Sequence, residues 1–127
     1  MSVALNQIAQ IAINVHDLPR AVAFYRDVLG MRHLFDAGPK LSFFSCGGIR
    51  LMLSLPEKPE FDHPASILYY KVADLQPTYE ALAANGVKFE QKPALVAAMP
   101  DHDLWMAFFR DSENNPLVLM AEVQKAK

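Results

Sequence analysis

Apolar positions along the chain keep two different periods, and the two alternate in the same order twice. "QIAINV" alternates as a strand does, and a helical stripe of Leu18, Val22, Tyr25, Val28 and Leu29 follows it. Asp17 offers a carboxylate to the free amides of the first helical turn, where Pro19 is tolerated because those amides lack partners anyway. Gly30 predicts the stop. The second copy runs "ILYYKV", Asp74 as cap, Pro77 in the first turn, a stripe of Leu75, Tyr79 and Leu82, and Gly86 as stop. Val-x-Asp-Leu opens both helices, as Val15-His16-Asp17-Leu18 and Val72-Ala73-Asp74-Leu75.

β signals follow each helix. The first copy gives "RHLF", "LSFFSC", a Gly47-Gly48 turn and "IRLMLSL", and a glycine pair between apolar runs predicts a hairpin. The second gives "VKFEQ", a polar stretch containing proline, "LWMAFFR", an Asn114-Asn115 turn and "PLVLMAE". The Phe43-Phe44 and Phe108-Phe109 pairs fall at matching places, so the duplication continues through the hairpins. The plan is βαβββ, twice, which makes the chain α+β. "SLPEKPEFDHPAS", with prolines 56, 59 and 64, reads as the join between the copies.

Composition narrows the function classes. With 127 residues, the chain suits one domain or two half-size modules that fold together. A net charge of -2 and the lack of any Lys/Arg cluster argue against nucleic acid as a partner. No apolar run approaches the roughly 18 residues of a membrane span. "MSVALNQIAQ" has no basic leader before an apolar run, which argues against a secretory signal. A single cysteine, Cys46, excludes an internal disulfide, fits a cytoplasmic protein and reads as a small buried hydrophobe.

"VHDLPRAVAFYRDVLGM", "FFSCGGIRLML", "VADLQPTYEALAANGVKF" and "AFFRDSENNPLVLMAE" together resemble the vicinal oxygen chelate superfamily, which includes glyoxalase I, extradiol dioxygenases, and bleomycin- and fosfomycin-resistance proteins. The resemblance implies a single glyoxalase-like domain over residues 1–127, with module 1 at about 1–55, a linker at about 56–65 and module 2 at about 66–127. It also implies that the strands of the two βαβββ modules curve into a cupped mixed sheet with the helices on its outer face. A homodimer is expected, since two modules of roughly 60 residues bury limited surface alone.

Strand alternation then assigns faces. In the first strand Ile11, Ile13 and Val15 suit the helix side, leaving Gln10, Ala12 and Asn14 for the cup. In the last strand of the first copy Leu51 and Leu53 pack inward, leaving Arg50, Met52 and Ser54. The second copy presents Ile67, Tyr69 and Lys71, then Val118 and Met120. The resemblance implies that metal-dependent relatives hold His, Glu or Gln ligands at four of these places, which here read Gln10, Met52, Ile67 and Val118. Hard divalent cations need several converging oxygen or nitrogen donors. No metal ligand and no cofactor is therefore expected, the alternative being one divalent metal.

None of the four histidines pairs at the i, i+4 spacing of a helical metal site. His16, His33 and His63 read as solvated side chains. His102, in the loop before "LWMAFFR", stands between Asp101 and Asp103, which can orient it. It is the candidate catalytic base. Tyr69 can offer a hydroxyl to a ligand, and Met52 suits an adaptable apolar pocket. Trp105 counts as pocket wall, although both parities of its strand are apolar and alternation does not choose its face.

The sequence thus predicts a cytoplasmic protein that holds a small organic ligand in an apolar cup, in contact with Gln10, Met52, Ile67, Tyr69, Trp105 and Val118. The alternative is a lyase or isomerase of glyoxalase I type, either metal-dependent or metal-free with His102 as base. A purely structural protein would need its own side chains to fill the cup.

Overall fold

The computed structural model describes residues 3–125, and the chain divides into two compact units, Met1–Ala65 and Ser66–Lys127. In the first, β1 (Gln10–Asn14) leads into α1 (Leu18–Ala23), followed by β2 (Arg32–Ala37), β3 (Leu41–Cys46) and β4 (Ile49–Ser54). In the second, β5 (Leu68–Lys71) leads into α2 (Leu75–Ala84), followed by β6 (Ala94–Ala98), β7 (His102–Arg110) and β8 (Pro116–Gln124). The sheet orders match: β1-β4-β3-β2 and β5-β8-β7-β6. Each first strand runs parallel to the last strand of its unit, and the other pairs are antiparallel. A parallel pair needs a crossover, which the helix supplies, whereas the remaining strands can follow one another as hairpins. The fold is α+β, built as βαβββ twice.

The helices depart from expectation in two ways. Asp17 caps α1, its Oδ1 accepting from the Arg20 amide at 3.1 Å. α-Helical geometry ends at Ala23, however, and residues Phe24–Val28 wind into a wider π-helical turn. Its register is visible where the Leu29 amide donates to the Phe24 carbonyl, five residues back, at 3.0 Å. Asp74 holds the N-cap position of α2 in extended backbone, yet its side chain makes no capping bond. Its carbonyl instead accepts from the Thr78 hydroxyl at 2.9 Å. At the far end Gly86 takes φ 93, which lets the Val87 amide reach back to the Leu82 carbonyl at 3.0 Å.

Three strand assignments shift. "VKFEQ" forms no strand; Phe89 makes one isolated bridge to Phe109, and its ring packs between Tyr79 of α2 and Phe109. The second strand of this unit is instead "ALVAA", Ala94–Ala98. Pro93 restricts Lys92 and lacks an amide for the ladder, so pairing starts only beyond it. His102 opens β7 rather than lying in the preceding loop, and Ile67 lies just before β5.

One face of each sheet is buried under its helix. In unit 1, Ile13, Leu51, Leu53 and Phe44 lie there, and Tyr25 covers Phe44 with ring centroids 6.2 Å apart. In unit 2, Ala107, Phe109, Leu117, Leu119 and Ala121 form the equivalent layer. Burying large side chains of this kind contributes about 1.5–3 kcal/mol each. Among the described residues no helix is long and apolar enough to cross a membrane.

Candidate ligand-binding faces

Register places the opposite side chains of β1–β4 in rows across the open face of unit 1. One row is Ala12, Met52, Phe43 and Phe35; the next, toward the start of β1, is Gln10, Arg50, Ser45 and Arg32. Gln10 and Met52 touch, the amide Nε2 donating to the thioether sulfur at 3.7 Å. Phe35 stacks on Phe43 with centroids 4.7 Å apart, and the Arg50 guanidinium lies over the Phe43 ring, 5.8 Å from its centroid. Phe43 is therefore buried, while Phe35 stays 47% exposed.

A cavity of about 340 Å³ opens at the other end of this face, lined by Ala12, Asn14, Met52, Ser54, Phe61 and His63 among others. Its cover is the segment after β4, which the sequence reads as a linker. That segment is tied to unit 1. The Asn14 amide donates to the carbonyls of Phe61 and of His63, the latter at 3.1 Å, and the Leu55 amide bonds the Lys40 carbonyl at 3.0 Å. His16 pairs with Asp62 at 2.9 Å, so it anchors the same segment rather than standing free in solvent.

In unit 2, unbroken pairing of β7 with β8 separates the two parities that alternation left open. Met106, Phe108, Val118 and Met120 share the open face with Tyr69 and Lys71. Trp105 falls with Ala107 and Phe109 on the helix-covered face, opposite Leu95 and Ala121. Val118 is in register between Tyr69 and Phe108 and is completely buried, whereas Tyr69 is 51% exposed. Ile67 is exposed. Gln10 and Met52 are thus brought together in unit 1, and Tyr69 lies beside Val118 in unit 2.

His102 is held by Asp101, whose Oδ1 lies 2.7 Å from Nδ1. Hydrogen bonding to His102 is the main reason the Asp101 carboxyl titrates below the usual range. The imidazole shares the open-face parity of Met106 and Phe108. It lies six residues along β7 from Phe108, the level of Tyr69, which at strand rise is about 20 Å. The two side chains do not meet on one substrate within this unit.

A Ser, a His and an Asp do converge elsewhere. His33 Nε2 lies 2.9 Å from Asp36 Oδ1 and 3.1 Å from Ser42 Oγ. A bulge at Leu34 turns His33 and Asp36 to the same, helix-covered side, which regular alternation would forbid at i, i+3. Bonds from Ser42 and then His33 hold the Asp36 carboxyl below its ordinary range. One imidazole nitrogen serves both neighbours and Ser42 is fully buried, so the trio is a structural clasp and lacks the relay geometry of a hydrolase. His33 is consequently half-buried and bonded rather than solvated. Burial pushes the Cys46 thiol up, away from the thiolate a nucleophile needs.

Residues 7–119 match the glyoxalase family, described as the Glyoxalase/Bleomycin resistance protein/Dioxygenase superfamily. The chain belongs to this superfamily. It is 31% identical over 126 residues to the protein YraH of Bacillus subtilis (strain 168), covering 86% of this chain and 93% of YraH. Solved structures share the fold: lactoylglutathione lyase from Agrobacterium tumefaciens is 22% identical with a TM-score of 0.71, over 91% of this chain and 92% of the lyase. A virulence protein from Salmonella typhimurium is 15% identical with a TM-score of 0.76, over 95% of this chain and 100% of that protein.

Metal-dependent members of the superfamily imply a divalent ion, and the donor set tests whether one fits here. Among the described residues no three His, Cys, Asp or Glu side chains come together as a metal site would require. At the places where the resemblance implies donors, Gln10 gives its amide to a thioether, Ile67 is a hydrocarbon and Val118 is a buried hydrocarbon. These residues do not fit a hard cation.

Proposed function

We propose that this protein binds a small organic ligand through the open faces of its sheets and uses no conventional metal centre there. The observation that carries this reading is the Gln10–Met52 contact, an amide against a sulfur at two places where the resemblance implies ion donors in metal-dependent relatives. Ligand contact falls to Gln10, Met52, Ile67 and Tyr69; Val118 is buried on the same face between Tyr69 and Phe108, and Trp105 lies on the helix-covered face. The protein acts in the cytoplasm as a homodimer in this reading, because small units with open apolar faces gain stability by association. Metal analysis after equilibrium dialysis against Zn, Ni, Mn or Fe salts tests it. Binding well below one ion per chain is the expected result, and a stoichiometric ion lost on Gln10→Ala would overturn it.

A second reading is a metal-free lyase or isomerase of glyoxalase type. It is favoured by the Asp101–His102 bond, which fixes Nδ1 and leaves Nε2 to move a proton. His102 would then be the base, about 20 Å along the sheet from the level of Tyr69. His102→Ala must abolish turnover of the best substrate with ligand affinity retained; unchanged turnover removes this reading.

A further inference from the structure

Asp36 is the only acidic residue in β1–β4, and its side chain belongs to the helix-covered face. The open face of unit 1 consequently carries two cations and no strand carboxylate. Arg50 and Arg32 flank Ser45 from the neighbouring strands on either side, so their Cα atoms stand two strand spacings, about 9–10 Å, apart. Both are exposed, and neither is ion-paired among the described residues. Arginine side chains from that separation can meet over Ser45 on a single planar oxyanion. Beside this row lies the apolar one, with Met52, Ala12 and the half-exposed Phe35 ring, and the Arg50 guanidinium is already laid over Phe43. The one carboxylate lining the cavity, that of Glu57, enters from the covering segment beyond Ser54. Ser54 is four residues from Arg50, about 13 Å along the strand. The face therefore has a polarity: two cations at one end, an apolar middle, and at the far end the Glu57 carboxylate together with Lys58, whose ammonium lies over the Phe61 ring.

We propose that the open face of unit 1 takes a small organic anion with a flat apolar body, its carboxylate or similar oxyanion on Arg50 and Arg32 and its ring along Phe35 and Met52. This rests on the reading that the open face is a ligand site, and it adds the ligand's chemical class. Positive charge without a partner favours an anion, and the exposed aromatic edge beside it favours a planar group over a branched one.

The test compares 2-naphthoate with its uncharged isostere 2-naphthamide on the full chain by titration calorimetry at low salt. The carboxylate is expected to bind about tenfold or more tighter than the amide, as a charge-assisted pair would give. Arg50→Gln should erase that preference, Arg32→Gln should reduce it, and Phe35→Ala should weaken both probes alike. Arg26→Gln, on the helix side and already paired with Asp27, should leave the preference intact. Equal binding of the two probes, or a preference that survives both Arg50→Gln and Arg32→Gln, overturns the anion assignment. If uncharged ring compounds still perturb the Met52 methyl resonance, the ligand-site reading stands while the anion assignment falls. If no small molecule perturbs Met52 or Tyr69, both fall.

Discussion

The two units share a strand order, a parallel first-to-last pair and a buried aromatic at the corresponding place, yet they reach those features by different local chemistry. Phe44 of β3 and Phe109 of β7 each lie opposite a leucine of the last strand, Leu51 and Leu117, beneath the helical layer. Of the edge strands, β2 and β6 each carry a bulge, at Leu34 and at Val96. A bulge in an edge strand bends it away from further pairing, so both units blunt the same edge in the same way. The hairpins before the last strands differ. Unit 1 turns on Gly47 and Gly48 with φ 56 and 84, whereas unit 2 turns around Asp111, a buried carboxylate. It accepts from the Glu113 and Asn115 amides at 2.8 Å and from the Asn115 side chain at 3.0 Å. Glycine supplies the positive φ in one copy; in the other Asn114 takes φ 66 inside a turn that the Asp111 carboxylate bonds together. Duplication preserved the geometry and left its means free.

The largest effects should come where the units agree. Phe44→Ala and Phe109→Ala are each expected to cost about 3–5 kcal/mol, the usual loss for a large aromatic removed from a packed core. Urea unfolding of the two variants checks this, and a Phe109→Ala cost below about 1 kcal/mol would break the equivalence of the two cores.

The hairpins come next. Asp111→Ala strands three donors at a buried turn and should cost about 2–3 kcal/mol, given that bonds to charged groups contribute about 1.5–3. Gly48→Ala forces an L-residue to positive φ in open space and should cost about 1–2 kcal/mol. Thermal melts of the pair should rank Asp111→Ala as the less stable; the reverse order would mean that backbone strain dominates both turns.

The smallest effects separate the helix caps. Asp17→Ala should lose about 1 kcal/mol, and Asp74→Ala should fall within about 0.5 kcal/mol of the parent, because only the first carboxylate bonds a helix amide. Equal losses in the two variants would show that the Val-x-Asp-Leu motif acts through something other than capping.

Much of the open face of unit 1 was legible beforehand. A half-buried strand alternates with period two, and "QIAIN" and "IRLMLS" have one greasy and one mixed parity, so Gln10, Arg50 and Met52 could be assigned to the open side from the letters alone. The same reasoning failed for "HDLWMAFFR", where both parities are apolar; only the partner strand could turn Trp105 inward and Phe108 outward. Val118 has the parity of the open face yet no exposure, and a periodic count assigns a face without assigning burial. The trio of His33, Asp36 and Ser42 had no signal, because an inserted bulge residue is invisible to a periodic count.

Taken alone, the order of apolar periods determined a βαβββ plan used twice, its helix stops and its alternating faces, for those depend on local spacing and on glycine's freedom at positive φ. Tertiary structure decided which side Trp105 takes, how the segment after β4 is clasped by Asn14 and His16, and which arginines flank Ser45 without a carboxylate. Each of these depends on contacts between residues far apart in the chain, and a local pattern carries no term for a neighbour it does not contain.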